Sequence, residues 1–167
     1  MRGWRRLAVL VALTLLSLSG ETVAAEWGTI NPGQSTMEAV RAQYGGPTRT
    51  ATQKVEGYDT AQWVYEGPQA PGGIRRLVVD FGLLTPAGFQ PALVRSLTLE
   101  PKPGAFTQTT VLEGWGEPTK VSAAGQPKSF FYESGLVVLF DTEGWQVETM
   151  LFTPPQAPAK GQGTPRP

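Results

Sequence analysis

One stretch of this chain occurs twice, and that repetition limits the possible folds more than any other feature. Pro32-Gly33 is followed by Thr36, Val40, Tyr44-Gly45, Pro47 and Thr48. Pro103-Gly104 is followed at the same spacing by Thr107, Val111, Trp115-Gly116, Pro118 and Thr119. A match over so many fixed positions marks an internal repeat, and a repeat sets the architecture before other signals are weighed.

Each copy opens with a short helix. Ser35 stands as an N-cap, with Glu38 three residues on to complete a capping box. Met37, Val40 and Tyr44 form one apolar stripe. Gly45 ends the helix and Pro47 bars its continuation. In the second copy Thr107 caps a helix carrying Val111, Leu112 and Trp115, which Gly114 weakens. Residues 48–60 are polar and read as a loop or a weak edge strand. Strands are then expected at 62–66, 75–81 and 94–99, with a loop over 83–91. The second copy gives strands at 128–133, 136–141 and 146–152. Val94, Leu97, Leu99 and Pro101 align with Val147, Met150, Phe152 and Pro154.

Strands joined by short turns pair antiparallel. The expected fold class is therefore α+β: two tandem helix-β-β-β repeats, 26–101 and 102–154, forming one antiparallel sheet with helices on one face. Alternation sorts each strand into two faces. Trp63, Tyr65, Leu77, Val79, Phe81, Leu97 and Leu99 form the core face of the first copy. Phe130, Tyr132, Leu136, Val138, Phe140, Met150 and Phe152 form that of the second. Trp145 is grouped with Trp63, Tyr65, Phe130 and Tyr132 as an aromatic core position.

The opposite face of the first copy is mostly polar: Gln62, Glu66, Arg76, Asp80, Ser96 and Thr98 around Val64 and Val78. Arg95 is grouped with this face as well, although strict alternation would put it beside Leu97, at the border of the core. The second copy instead presents Phe131, Val137, Leu139, Val147 and Leu151. An apolar cluster of this kind marks an interaction surface, unless a loop or the C-terminal tail covers it. The candidate protein-binding residues are Phe131, Val137, Leu139 and Leu151, with Val78 beside them.

The ends lie outside this unit. Arg2, Arg5 and Arg6, the apolar run Leu7–Leu18 and the small residues Val23-Ala24-Ala25 make residues 1–25 a secretory signal peptide, cut ahead of Glu26. Arg5-Arg6 is also the dipeptide of twin-arginine export, though its surroundings fit that consensus poorly. The run is too short to span a bilayer comfortably, so no membrane span is expected after cleavage. With no Cys in the sequence, neither a lipid anchor on Cys nor a disulfide can form. Residues 155–167 are Pro/Gly-rich and read as disordered. The expected location is periplasmic or secreted.

Charge from Glu26 onward is nearly balanced, 11 Lys and Arg against 13 Asp and Glu, which argues against a nucleic-acid partner. There is no His and no Cys. The commonest general base, thiol nucleophiles and the usual zinc ligands are thus missing. Gly45-Gly46 and Gly72-Gly73 lack the lysine of a phosphate loop and read as turns. The expectation is a non-enzyme with no catalytic residue, no metal and no cofactor.

The Pro-Gly, Thr, Val, aromatic-Gly-x-Pro pattern, followed by Trp63-x-Tyr65, resembles the SmpA/OmlA (BamE-like) family. Its tandem arrangement over residues 32–154 is similar to that of beta-lactamase inhibitory protein. The matched positions are Gly33, Thr36, Val40, Gly45 and Pro47, then Gly104, Thr107, Val111, Gly116 and Pro118. The resemblance implies a helix-plus-sheet fold and a non-catalytic, protein-binding or scaffold role in the cell envelope, either in outer-membrane assembly or as an inhibitor. The lipidated Cys and the disulfides of those proteins are absent here. A different class is a small-ligand carrier, with a cavity lined by Trp63, Tyr65 and Tyr132. An envelope hydrolase would need paired acids that the sequence does not place together.

Overall fold

The computed structural model describes residues 24–155. Nearly all of the expected leader and tail therefore lies outside the described residues. The elements run α1 (Met37–Tyr44), β1 (Arg49–Val55), β2 (Tyr58–Glu66), β3 (Ile74–Thr85), β4 (Gly88–Pro101), α2 (Gln108–Trp115), β5 (Lys120–Val121), β6 (Ser129–Phe131), β7 (Leu136–Phe140) and β8 (Val147–Phe152). All eight strands join one antiparallel sheet in the order β1-β2-β3-β4-β8-β7-β6-β5.

This corrects the expected fold class. The described residues are dominated by one eight-stranded sheet, with two α-helices of eight residues each among them; they do not form a tandem of helix-β-β-β units. Each half brings four strands, not three. The extra strand of the first half is β1, over residues that read as a loop. All but the last of its residues are exposed, because an edge strand with solvent on both faces needs no alternation of apolar side chains. The 83–91 loop is also strand, since β3 and β4 continue through it to Thr85↔Gly88. There Gly82 takes φ +90°, and a Cβ would come within 2.9 Å of Thr60 Cγ2.

At the centre, β4 meets β8 through Leu97↔Phe152, Thr98↔Leu151 and Leu99↔Met150. Leu97 aligns with Met150 and Leu99 with Phe152, so the outer pairs exchange under a local two-fold through Thr98↔Leu151. Matched contacts lie on either side of it. The Tyr65 hydroxyl donates to Gly45 O at 3.2 Å, and that of Tyr132 to Gly116 O at 3.0 Å. Gly45 and Gly116 end their helices at φ +76° and +75°, a region that glycine enters without Cβ strain. Trp63 meets Phe81 edge-on at 4.8 Å, and Phe130 meets Phe140 the same way at 4.8 Å.

All fourteen residues assigned to the core face are buried, with Val40 and Val111 of the helices packed among them. The helix starts differ. Thr107 accepts from the Thr110 amide and forms a capping box with it. In α1 the N-cap is Thr36, not Ser35, and its side chain makes no capping bond. Ser35 Oγ instead accepts from the Asn31 amide. Glu38 is held below the usual carboxylate range, first by a hydrogen bond from Thr36 and then by its own backbone amide.

The lead-in from Ala25 to Asn31 crosses to the other half. Trp27 lies 5.6 Å from Phe106, 6.5 Å from Trp115 and 6.3 Å from Phe152, ring centre to ring centre. Ala25 and Ile30 are buried in the same core. Among the described residues no helix is long and apolar enough to cross a membrane.

Candidate protein-binding face

The face away from the helices carries one row of side chains that crosses every strand. Register pairs Arg49 with Val64, Val64 with Val78, Val78 with Thr98, Thr98 with Leu151, Leu151 with Val137, Val137 with Phe131 and Phe131 with Lys120. Side chains opposite one another on antiparallel strands touch. The result is an apolar band broken only by Thr98 and closed by a cation at each edge. All five candidate residues lie on or beside it. Phe131, Val137, Leu151 and Val78 belong to the row, and Leu139 is two residues along β7 from Val137.

Burial along the band is uneven. Val64 and Val78 are buried at 3% and 9% exposure, whereas Phe131 and Leu139 are exposed at 37% and 41%. Val137 and Leu151 are half-buried. The cause lies in the flanking rows. In the first half, Asp80 accepts from Gln62 at 2.8 Å, Ser96 at 3.0 Å and Gln53 at 3.3 Å, with the Arg95 guanidinium at 3.7 Å. On the other side Glu66 faces Arg49 at 3.4 Å and Arg76 at 3.9 Å, and Glu100 faces Arg75 at 2.9 Å and Arg76 at 3.6 Å. Long polar side chains tied to one another shield the valines between them.

The second half has no such cover. Gln62↔Asp80↔Ser96 corresponds, through the local two-fold, to Ser129↔Leu139↔Thr149. Leucine takes the place of the aspartate hub, and Gly135 takes the place of Arg76. One half of the face is thus knit together by charge and the other is bare.

Two side chains assigned from sequence move. Val147 was expected beside Leu151 but is buried in the core. Pairing steps from Leu139↔Thr149 to Phe140↔Val147, so Glu148 is the extra residue of a bulge and the side-chain phase inverts. A bulge between Asp80↔Ser96 and Phe81↔Val94 explains why Arg95 lies on the open face against Asp80, as grouped, and not at the core border that strict alternation would give. Trp145, expected in the core, is 61% exposed. Its ring lies 5.7 Å from the Lys128 ammonium, which also sits over Phe130 at 5.8 Å.

A second apolar feature is not legible in the sequence. Tyr58 stacks on Phe89 at 4.3 Å beside Leu84, at the tips of the β1–β2 and β3–β4 hairpins. It was hidden because 83–91 read as loop. The aromatics named for a ligand cavity pack against neighbouring side chains. Trp63 lies against Phe81 and under the Arg41 guanidinium at 5.3 Å, and Tyr65 meets Tyr44 edge-on at 5.8 Å.

No family model matches the chain, and no curated protein matches it. Among solved structures it is similar to a DUF4309 family protein (YjgB) from Bacillus subtilis subsp. subtilis str. 168. The identity is 13% and the TM-score 0.46, over 75% of this chain and 83% of that one.

Proposed function

We propose that this chain is an exported, non-catalytic protein-binding module of the cell envelope that receives its partner on the bare half of the open face. The observation that carries this reading is the asymmetry at matched positions. Asp80, hydrogen-bonded and ion-paired, stands where the other half exposes Leu139. An apolar side chain in water at a site where its counterpart is polar gains free energy when a partner covers it, at about 25 cal/mol per Å². Likeness of the twice-occurring motif to the SmpA/OmlA family favours the same class, whether assembly factor or inhibitor.

The test places a photo-crosslinking amino acid at Leu139, at Phe131 and, as a control on the same face, at Gln53. Adducts with one protein at 139 and 131 but not at 53 are expected in the envelope fraction. They should disappear when Phe131→Ser is combined with the probe at 139. Equal labelling at all three positions, or labelling untouched by the substitution, would refute the assignment.

A further inference from the structure

We infer that two copies of this chain pair through their β1 edges, antiparallel and in a single register, so that the two sheets become one. This surface is separate from the binding face proposed above: β1 is one edge of the sheet, and Phe131 and Leu139 lie towards the other. Among the described residues β1 pairs with β2 alone. Every second residue along it turns its N–H and C=O outward, and another extended backbone matches such a row. Folded proteins blunt an edge of this kind with Pro, a bulge, shortness or an unpaired Lys. β1 has seven residues, no Pro and no Gly, and its ladder to β2 is unbroken from Arg49↔Val64 to Val55↔Tyr58. Its one lysine, Lys54, is held by Asp59 at 3.2 Å. The opposite edge is blunted, since β5 has only two residues. An assembly built on β1 therefore closes at two copies and does not grow into a fibre.

The sequence of β1 is complementary to itself. Two antiparallel copies meet about a two-fold axis, so one residue faces its own counterpart. Full overlap of all seven residues puts Thr52 at that point. Arg49 then faces Val55 of the second copy, Thr50 faces Lys54 and Ala51 faces Gln53. No like charges stand opposite one another, an arrangement that would be destabilising. Glu56 comes directly after Val55, so each Arg49 lies beside Glu56 of the other copy.

Glu56 gives an independent sign. Among the described residues it is the one non-glycine at positive φ, +50°, and Gly57 follows at +88°. A two-residue hairpin turn of this type is normally filled by Asn-Gly or Asp-Gly. A glutamate there costs backbone energy, of the kind that persists where it serves a function. Among the described residues its carboxylate holds no hydrogen bond and no ion pair. A strained, unpaired acid at the end of an open edge fits a cation that arrives from outside. Arg49 is 3.4 Å from Glu66 and still largely exposed, and its five N–H donors can serve a second carboxylate.

The chain has no Cys, so introduced cysteines report the register without interference. Facing residues of antiparallel strands have Cα atoms about 4.5–5.5 Å apart, inside the roughly 4.4–6.8 Å that a disulfide spans. Thr52→Cys, Ala51→Cys and Gln53→Cys are each made in the full chain and oxidised mildly. Thr52→Cys is expected to cross-link to itself. Ala51→Cys and Gln53→Cys should cross-link poorly alone and readily when mixed. Sedimentation equilibrium of the full chain should show monomer and dimer in exchange. Glu56→Gly should raise the dimer Kd about fivefold, as the loss of two exposed ion pairs implies, while melting no lower than the parent. A monomer at every concentration up to that of the cross-linking reaction would overturn the inference. So would a dimer that Thr52→Cys fails to cross-link, equal cross-linking at all three positions, or Glu56→Gly dimerising as tightly as the parent.

Discussion

Removing one oxygen from each half of the molecule tests how alike the halves are. In Tyr65→Phe the ring stays in place and only the bond to Gly45 O, 3.2 Å long, is lost; in Tyr132→Phe the loss is the 3.0 Å bond to Gly116 O. Both acceptors belong to exposed glycines, so water can take over the carbonyl. The cost is then that of a net hydrogen bond, about 1 kcal/mol at each site. The two sites share no contact, so the double variant should lose about 2 kcal/mol, the sum of the singles. Denaturant unfolding followed by far-UV circular dichroism and tryptophan fluorescence measures this, with slopes unchanged because the surface exposed is the same.

An alkaline series adds a second reading. Burial pushes the hydroxyls of Tyr65 and Tyr132 above their usual range, and that of Tyr44 up to about 12. A folded-state value above the unfolded one means that the neutral form is favoured in the folded state. The stability from this source is complete below the unfolded value of about 10 and is lost as the pH rises through the folded values. The double variant should therefore show a shallower alkaline decline than the parent. If one single variant cost nothing and the other several kcal/mol, the reasoning from matched contacts would fail. It would fail equally if the double lost much more than the sum.

Three further outcomes follow from the geometry. Gly135→Ala should cost about 2–4 kcal/mol, read as a fall in melting temperature and soluble yield. Its φ is +96°, and the added Cβ would sit 2.1 Å from Thr153 O, a backbone atom that cannot swing aside. Asp80→Ala should cost about 1–3 kcal/mol in denaturant titrations, because Gln62, Ser96, Gln53 and Arg95 lose their common acceptor; Asp80→Asn should cost less. Leu139→Lys should shift stability by no more than about 0.5 kcal/mol, since the side chain already faces solvent. A large loss there would mean that Leu139 is packed, and the binding proposal would lose its main residue.

Side-chain alternation made much of the interior legible. Phe81, Leu97, Phe140 and Met150 could be placed in the core because each strand that buries one face shows a two-residue period. The same rule exposed Phe131 and Leu139. It failed where the chain departs from a plain ladder. Edge strand β1 buries no face and so carries no period. The bulges beside Phe81 and Phe140 each add a residue, which turned Arg95 outward and Val147 inward. The Asp80 hub draws donors from three different strands, and no local pattern encodes such a meeting. The helix start was misplaced by one residue because Ser35 and Thr36 are both competent caps, and only tertiary contacts decide between them.

The crossing of the lead-in has a bearing on when this protein can become compact. Trp27 is among the first described residues, and its ring neighbours include Phe152, near the last. A chain that emerges amino end first carries Trp27 without its Phe152 neighbour until almost everything else has followed. Loop closure over so long a span comes late. The molecule is therefore sealed only after its final strand arrives.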